Sequence, residues 1–307
     1  MSSNEITYFN RSSQQLETEL VYGDEAIKFI YDNSIGQMLA PLVASKSISQ
    51  LYGGYQDLPV SRNKVKPFVK KFGIDLSIYK AGSLKRKNKV DSYKNFNEFF
   101  IREFEENQRS FLDSDTQMPA FSEARYFGHA HIDNDVEVPV KGSLLKAKDL
   151  LGGSKWASTF EGGPLLIARL CPVDYHRYHY PLSGSTLDSF QIAGQFHSVN
   201  PVALKSKPDI LIVNERRASI LETEKFGKLA YIEVGAAMVG KIIQSHDESV
   251  PHQKGDEKGY FLFGGSTVIV LGEKGKWSPS DDIVRNTHNG VETYLHLGDE
   301  VAVLQTS

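Results

Sequence analysis

The sequence predicts an α+β protein in which a helical amino-terminal region caps a β-rich body. Two observations support this fold class. Apolar residues recur at helical spacing in the amino-terminal third, most clearly over 24–54. From about Pro119 onward, short β-branched or aromatic runs alternate with Gly, Pro and Asn, which is typical of strands and turns. We therefore expect a helical region over 1–110 and a β-rich domain over 111–307.

Three segments make up the predicted cap. The stretch 24–54 begins at a candidate N-cap aspartate and ends at two glycines, with Pro41 expected to kink or end the helix. The stretch 61–75 (SRNKVKPFVKKFGID) is basic and carries apolar residues on one side. The stretch 96–104 (FNEFFIREF) spaces its phenylalanines to share one helical stripe.

The predicted body consists of short strands, one hairpin and one long loop. Residues 214–242 alternate in a way that indicates a hairpin, and the polar stretch 245–260 reads as an exposed loop. The strand signals are LLIARL, ILIVN, LAYIEVG, YFLF, STVIVL and EVAVL.

Composition narrows the class of protein. The chain has 307 residues, of which 40% are hydrophobic and 24% are charged, as in an ordinary globular protein. A net charge of −3 provides no global field for nucleic acid. The single cysteine, Cys171, excludes an internal disulfide framework and a cysteine-rich zinc site, and we predict no metal. The polar start MSSNEITYFNRSS lacks a signal-peptide order, and no apolar run approaches the roughly 20 residues of a membrane span.

The stretch CPVDYHRYHYPLSG carries two histidines, His176 and His179. Three residues apart, they would share a face on a helix and point to opposite faces in a strand. Pro172 and Pro181 bracket them, which favours a short turn or loop. Such a pair suits acid–base chemistry, because imidazole titrates near neutrality, but a solvated loop over packed tyrosines is equally consistent with the pattern.

The stretch FLFGGSTVIVL interrupts an apolar run with two glycines and two hydroxyls. Glycine inside a strand usually marks a bulge, and this stretch by itself predicts one. The residue after the glycines, Ser266, is nevertheless a candidate nucleophile.

The order of these motifs resembles the phosphatidylserine decarboxylases. DYHRYHYPLSG, NERRASILETEKFGKLAYIEVGAAMVGKI and FGGSTVIVL follow that family's order and approximate spacing. FNEFFIREF resembles the family's segment before the catalytic domain, and the amino terminus resembles the bacterial forms without a membrane-spanning helix. The resemblance covers nearly the whole chain.

The resemblance implies a self-processing enzyme with a covalent pyruvoyl cofactor. Cleavage would fall between Gly265 and Ser266, and Ser266 would become the pyruvoyl group. His179 would be the base for self-cleavage, and His176 would serve decarboxylation. The processed protein would consist of a large and a small chain from one precursor.

The family's aspartate that orients the base has no direct match. In MPAFSEARYFG, Glu123 stands where that aspartate is expected, and its side chain is one methylene longer. We expect a Glu123–His179–Ser266 triad, with Asp133 as the second candidate acid.

The implied substrate is phosphatidylserine in a bilayer, and the product is phosphatidylethanolamine. We expect the protein to lie peripherally on the cytoplasmic face of the cell membrane, docked through 26–48 and the basic 64–71. These segments would equally suit packing on the body or on a second subunit, as in a homodimer. Two other functions stay open: a pyruvoyl decarboxylase of a soluble amino acid, and an unprocessed binding protein. An ordinary serine hydrolase fits poorly, since no G-x-S-x-G motif is present.

Overall fold

The computed structural model describes most of the chain. The described residues are 6–20, 53–132, 145–199, 203–204, 207, 209–236, 241–264 and 266–305. The predicted helix over 24–54 and the candidate acid Asp133 therefore fall largely outside them, as does Gly265. Residues 53–57 are helical, so the two glycines at 53 and 54 do not end the helix as the sequence predicted.

The described residues contain fifteen strands, and most of them are short. The strands are β1 (Thr7–Asn10), β2 (Gln15–Thr18), β3 (Gln117–Pro119), β4 (Ala124–His129), β5 (Leu165–Leu170), β6 (Arg177–His179), β7 (Gly184–Ile192), β8 (Arg216–Thr223), β9 (Lys228–Val234), β10 (Ile242–Gln244), β11 (Glu257–Phe261), β12 (Ser266–Gly272), β13 (Trp277–Pro279), β14 (Glu292–Leu295) and β15 (Glu300–Leu304).

The helices are fewer and short. Besides the helical residues 53–57, they include α1 (Val65–Phe72), α2 (Phe96–Phe100), α3 (Ala147–Leu150), α4 (Ile210–Val213) and α5 (Asp281–His288), with 3-10 turns at Pro59–Lys64, Leu76–Ile78, Lys89–Asp91 and Ala157–Phe160.

Nine strands form the main sheet, in the order β2-β1-β14-β4-β5-β12-β9-β8-β7. All neighbouring pairs are antiparallel except β1 with β14. Strands β5 and β12 are buried along their whole length, because their aliphatic side chains are covered on both faces. The predicted hairpin is confirmed as β8 and β9.

Two three-stranded sheets complete the body, with the orders β10-β11-β6 and β13-β15-β3. Strand β11 belongs to the first of these and β12 to the main sheet, so residues 262–265 lead from one sheet to another. The bulge predicted for this stretch is therefore wrong, because the chain changes sheets there instead of continuing one strand.

A separate aromatic core lies in the cap. Val65 and Phe68 of α1 pack with Phe96 and Phe100 of α2, and Phe263 of the body joins the same cluster. The predicted stripe of FNEFFIREF is confirmed over α2, where both of these phenylalanines are buried. The cap core therefore includes a side chain from the connection that precedes β12.

Three further predictions differ from the structure. ILIV was predicted as a strand but forms α4, a single helical turn closed by the bond from Asn214 N to Ile210 O. Strands β1 and β2 belong to the main sheet, although residues 1–110 were predicted to be helical. The stretch 245–260 is not a fully exposed loop, since His252 and Lys258 are completely buried.

Candidate active site

Ser266 is the first residue of β12 and is completely buried. It pairs with Leu170 of β5, and the next residue, Thr267, pairs with both β5 and β9. The residue two positions earlier, Gly264, has a φ of 146°, which L side chains rarely adopt. The Ser266 hydroxyl therefore lies at the start of a central strand, two residues after a backbone conformation that favours glycine.

His176 is the imidazole that contacts Ser266. Its Nδ1 lies 3.3 Å from Ser266 Oγ, and its Nε2 lies 2.8 Å from the main-chain oxygen of Cys171. Because a carbonyl oxygen only accepts hydrogen bonds, Nε2 carries the proton and donates it to Cys171. The lone pair of the neutral ring therefore sits on Nδ1 and faces the Ser266 hydroxyl.

Burial keeps the His176 ring neutral. The side chain is fully buried and stacks on Phe100, with ring centroids 3.8 Å apart. Desolvation lowers the pKa of His176 from its ordinary 6.5 to about 3, and the nearby Arg102 charge acts in the same direction. A neutral imidazole beside a serine hydroxyl is the arrangement needed for general-base catalysis.

His179 has other hydrogen-bond partners. Its Nδ1 donates to Gly255 O over 2.9 Å, and its Nε2 lies 3.1 Å from the Tyr175 hydroxyl. The residue ends β6, and in extended backbone a side chain three positions from His176 points to the opposite side. The strand alternative of the sequence argument applies here, and it separates the two imidazoles.

Glu123 is held by a cation. Arg109 donates to both of its carboxylate oxygens, over 2.5 and 2.8 Å, and the Tyr294 hydroxyl donates to one of them over 3.2 Å. The main-chain N–H of Leu297 adds a bond of 3.3 Å. These bonds do not link Glu123 to His179, so the Glu123–His179–Ser266 triad stays a prediction.

The loop that carries His176 rests on buried charges. Asp174 accepts from the main-chain N–H of Cys171 over 2.7 Å and pairs with Arg125, also over 2.7 Å. Arg125 pairs in turn with Glu19 over 3.1 Å, immediately after β2. The amino-terminal hairpin is therefore connected to the catalytic loop through a chain of ion pairs.

Residues of the cap complete the site, and the sequence did not single them out. Asn97 accepts from the main-chain N–H of Phe263 over 3.0 Å. Arg102 donates to the main-chain oxygens of Val173 and Asp174 over 2.8 and 3.1 Å. Both lie in the FNEFFIREF motif. The sequence argument used only the phenylalanine stripe of that motif and assigned no role to its two polar side chains.

Comparison with known proteins identifies the family of this site. A family model described as phosphatidylserine decarboxylase matches residues 96–302. The phosphatidylserine decarboxylase proenzyme of Desulfitobacterium hafniense (strain Y51) is 39% identical over 299 residues, which cover 97% of this chain and 98% of that protein. The proenzyme of the same name from Clostridium beijerinckii is 36% identical over 297 residues, covering 96% and 98%.

The chain belongs to the phosphatidylserine decarboxylase family. The resemblance drawn from the motifs is thereby confirmed, and it holds over nearly the full length. As a member of the phosphatidylserine decarboxylases the chain is an enzyme, a carboxy-lyase made as a self-processing proenzyme.

The described part of this phosphatidylserine decarboxylase contains neither a membrane-spanning helix nor a cluster of metal-binding side chains. No helix among them is long and apolar enough to cross a membrane. No group of three or more His, Cys, Asp or Glu side chains among them is arranged to hold a metal ion.

Proposed function

We propose that Ser266 cleaves its own chain, becomes a pyruvoyl group and then serves the decarboxylation of phosphatidylserine to phosphatidylethanolamine. The observation that carries this proposal is the 3.3 Å contact between Ser266 Oγ and the unprotonated Nδ1 of His176, two residues after Gly264, whose φ of 146° favours glycine. A buried serine with a neutral imidazole base is an activated nucleophile.

Self-cleavage begins with the removal of the Ser266 proton by His176. Oγ attacks the carbonyl carbon of Gly265, and the peptide bond is exchanged for an ester while the amino group of Ser266 is released. Loss of the Ser266 α-proton expels the Gly265 carboxylate and leaves dehydroalanine. Tautomerisation to the imine and addition of one water release ammonia and leave the pyruvoyl group on Thr267.

The described residues fit this group. The side-chain oxygen of Thr267 is buried without a hydrogen-bond partner among the described atoms. Its hydroxyl would therefore be available to hydrogen-bond to a carbonyl group at the neighbouring position. Such a group would provide a ketone for reaction with the substrate amine and an acceptor for the electron pair left when carbon dioxide departs. His176 remains the described imidazole at this position and moves the proton that replaces the lost carboxylate.

The predicted triad, in which His179 is the base for self-cleavage and Glu123 orients it, is kept as a second proposed arrangement. Both are buried, and both have defined hydrogen-bond partners: Gly255 O for His179 and the main-chain N–H of Leu297 for Glu123. To form a triad with Ser266, His179 would have to give up its contact with Tyr175, and Glu123 its contact with Arg109. Comparing the cleavage rates of His176→Ala and His179→Ala distinguishes this triad from direct proton removal by His176.

The cap is proposed to bind the cytoplasmic face of the cell membrane. Residues 59–94 contain eleven Lys and Arg against two Asp, whereas the whole chain has a net charge of −3. Arg62, Lys66 and Arg86 line one surface cavity of about 540 Å³, and Leu58 and Val60 just before them are about half exposed. Cations beside exposed apolar residues suit an anionic lipid surface, and the cytoplasmic leaflet is anionic.

Mass spectrometry of the intact protein tests self-cleavage. We expect a fragment of residues 266–307 whose mass is lower by one ammonia than that of the same fragment with a serine amino terminus. The Ser266→Ala variant should give one uncut chain that releases no carbon dioxide from phosphatidylserine. Turnover of phosphatidylserine by Ser266→Ala would refute the proposal.

The substrate is tested on the cleaved protein. Release of carbon dioxide is compared between phosphatidylserine in mixed micelles and free serine or other soluble amino acids. Turnover of the lipid with none of the free amino acids is the expected result. Faster turnover of a soluble amino acid would replace the lipid by that substrate.

A further inference from the structure

We propose that the cap segment Phe96–Arg102 holds the two reacting parts of the proenzyme in register, with Asn97 and Arg102 as positioning residues for self-cleavage. This inference rests on the proposed function of Ser266. It adds a role for a segment that precedes the catalytic body in the sequence and touches both the cleavage turn and the histidine loop.

The first contact fixes the turn before the scissile bond. Asn97 Oδ1 accepts from Phe263 N over 3.0 Å, while its Nδ2 donates to Asp57 Oδ1 over 2.7 Å. Asn97 is 2% exposed, so these bonds do not compete with bulk water. The Phe263 ring is held between Phe96 and Phe100, with centroid distances of 5.1 and 5.0 Å.

The second contact fixes the loop before His176. Arg102 is 3% exposed and donates from one terminal nitrogen to the oxygens of Val173 and Asp174. Its guanidinium lies over the Tyr79 ring, 4.4 Å from the centroid, which limits its movement. A planar guanidinium offers several donors in fixed directions, so it orients the two carbonyls relative to each other.

The same segment holds His176 from its other side. Arg177, the next residue, donates from Nε to Ile101 O over 2.8 Å, and the Phe100 ring stacks on the imidazole. The cap therefore contacts the chain before His176, the chain after it and the face of its ring. It also contacts the chain three residues before Ser266 through Asn97.

This arrangement has a chemical consequence. Attack of Ser266 on the neighbouring carbonyl needs the hydroxyl, the base and the carbonyl in one geometry, and a misplacement of about 1 Å can cost on the order of 10²-fold in rate. The two halves of the site come from separate parts of the chain, and the bonds of Asn97 and Arg102 tie both to one short segment, Phe96–Arg102. Loss of either tie should slow cleavage in molecules that are otherwise folded.

The experiment measures cleavage of freshly synthesised full-length chains in cell-free translation. Wild type, Asn97→Ala, Arg102→Met and Arg102→Lys are compared, and the folded fraction is counted by resistance to limited proteolysis. Roughly 10- to 100-fold slower cleavage of folded chains is expected for Asn97→Ala and Arg102→Met. Arg102→Lys keeps the charge without the planar donors and should fall between Arg102→Met and wild type.

Arg216→Met is the matched control. Arg216 is also buried and donates to main-chain oxygens, those of Leu150 and Asn214, but these belong to neither loop of the site. It should lower the unfolding midpoint and leave the cleavage rate of folded chains unchanged. Equal slowing in Arg216→Met and Arg102→Met would overturn the inference, because the effect would then be general destabilisation.

Hydroxylamine distinguishes positioning of the attack from later chemistry. It cleaves an accumulated ester, so it should not restore cleavage in variants that fail to form the ester. Full restoration by hydroxylamine, or wild-type rates in Asn97→Ala and Arg102→Lys, would also overturn the inference. Absence of cleavage in wild type itself, as in Ser266→Ala, would instead refute the proposed function and this inference with it.

Discussion

His176 takes its chemical form from two neighbours. The carbonyl of Cys171 fixes the proton on Nε2, and the Phe100 ring excludes water from one face. Both effects leave Nδ1 as an acceptor toward Ser266. The proposed base is therefore held in its neutral form by main-chain and aromatic contacts, while Glu123 is bound by Arg109.

The histidine variants make a prediction at this scale. His176→Ala should cleave at least about 10²-fold more slowly than wild type, because the hydroxyl loses its base. His179→Ala retains the described Ser266 contact and should cleave faster than His176→Ala. Cleavage is followed by the appearance of the small chain on denaturing gels, and normal cleavage in His176→Ala with none in His179→Ala would restore the predicted triad.

The lowered pKa of His176 leads to a pH prediction. A base works in its neutral form, and a pKa of about 3 keeps the ring neutral through the whole range from about pH 5 to about pH 8. The cleavage rate should therefore show no acid limb with a midpoint near the ordinary histidine value. Measuring cleavage of translated chains in a buffer series checks this, and a midpoint near 6.5 would show that the reacting imidazole is not the buried His176.

At the residue scale, the sequence predicted the participants better than their partners. Ser266 and His176 are in contact in the structure, and the sequence motifs contained both as candidates. Their roles came from the family resemblance, which gave the part of the base to His179. The separation of His176 from His179 depends on β6 being extended, which a three-residue strand does not announce in sequence. Asn97 and Arg102 act through main-chain atoms of distant residues, and such contacts leave no sequence pattern.

At the scale of elements, the amino-terminal hairpin is joined to the catalytic loop by buried ion pairs. Arg169 donates to Glu19 over 2.6 Å and to Glu292 over 2.5 Å, and Arg125 links Glu19 to Asp174. Burial opposes ionisation of Glu19, but Arg169 and Arg125 outweigh it and lower its pKa to about 2. This contribution to stability is present above the ordinary glutamate pKa and is lost as pH falls toward 2.

Glu19→Gln should destabilise the fold. Arg169 keeps Glu292 and Arg125 keeps Asp174, so the variant loses the charge-assisted bonds of Glu19 without leaving a charge unpaired, and a loss of about 1.5–3 kcal/mol is expected. The free energy of unfolding is measured by chemical denaturation of the uncut Ser266→Ala protein, so that cleavage does not interfere. Glu222→Gln, an exposed carboxylate on β8, is the control and should change stability by less than about 0.5 kcal/mol.

A loss in Glu19→Gln no larger than in Glu222→Gln would show that the buried network does not stabilise the fold.

The strands around this network were largely predictable, because continuous aliphatic runs such as those of β5 and β12 suit fully buried positions. ILIV of α4 has the same composition and forms a helical turn, since short apolar runs do not distinguish the two. Strands β1 and β2 lie in the main sheet just before Glu19, whose ion pairs with Arg125 and Arg169 leave no signal in strand propensity.

At the scale of the molecule, positive charge is concentrated in the cap. The eleven cations of residues 59–94 contrast with a chain that is net negative. On α1, Val65 and Phe68 are buried while Lys66, Lys70 and Lys71 are exposed. The helix therefore packs its apolar side on the cap core and presents its lysines to the surroundings.

Replacing Lys66, Lys70 and Lys71 together by glutamine should weaken binding to anionic vesicles. Each basic residue near such a surface contributes roughly 1 kcal/mol, so the triple variant should bind on the order of 10²-fold more weakly. Flotation with phosphatidylcholine vesicles, with or without phosphatidylglycerol, provides the measurement. Raising the salt to about 1 M should reduce wild-type binding in the same direction.

The matched control replaces three exposed lysines of the body by glutamine: Lys155, Lys274 and Lys276. It removes the same net charge and should retain vesicle binding close to wild type. Equal losses in both triple variants would mean that net charge, and not the cap, governs binding.

Ser266 opens a strand that is hydrogen-bonded on both sides, to β5 and to β9, in the middle of the main sheet. The proposed cut just before Ser266 would expose no new sheet edge, and the short product would stay hydrogen-bonded between two strands of the long one. The mature molecule would then consist of two chains that had folded together as one precursor. Once unfolded by heat or denaturant, the separated chains should not refold. The working lifetime of the enzyme is therefore set by its unfolding rate.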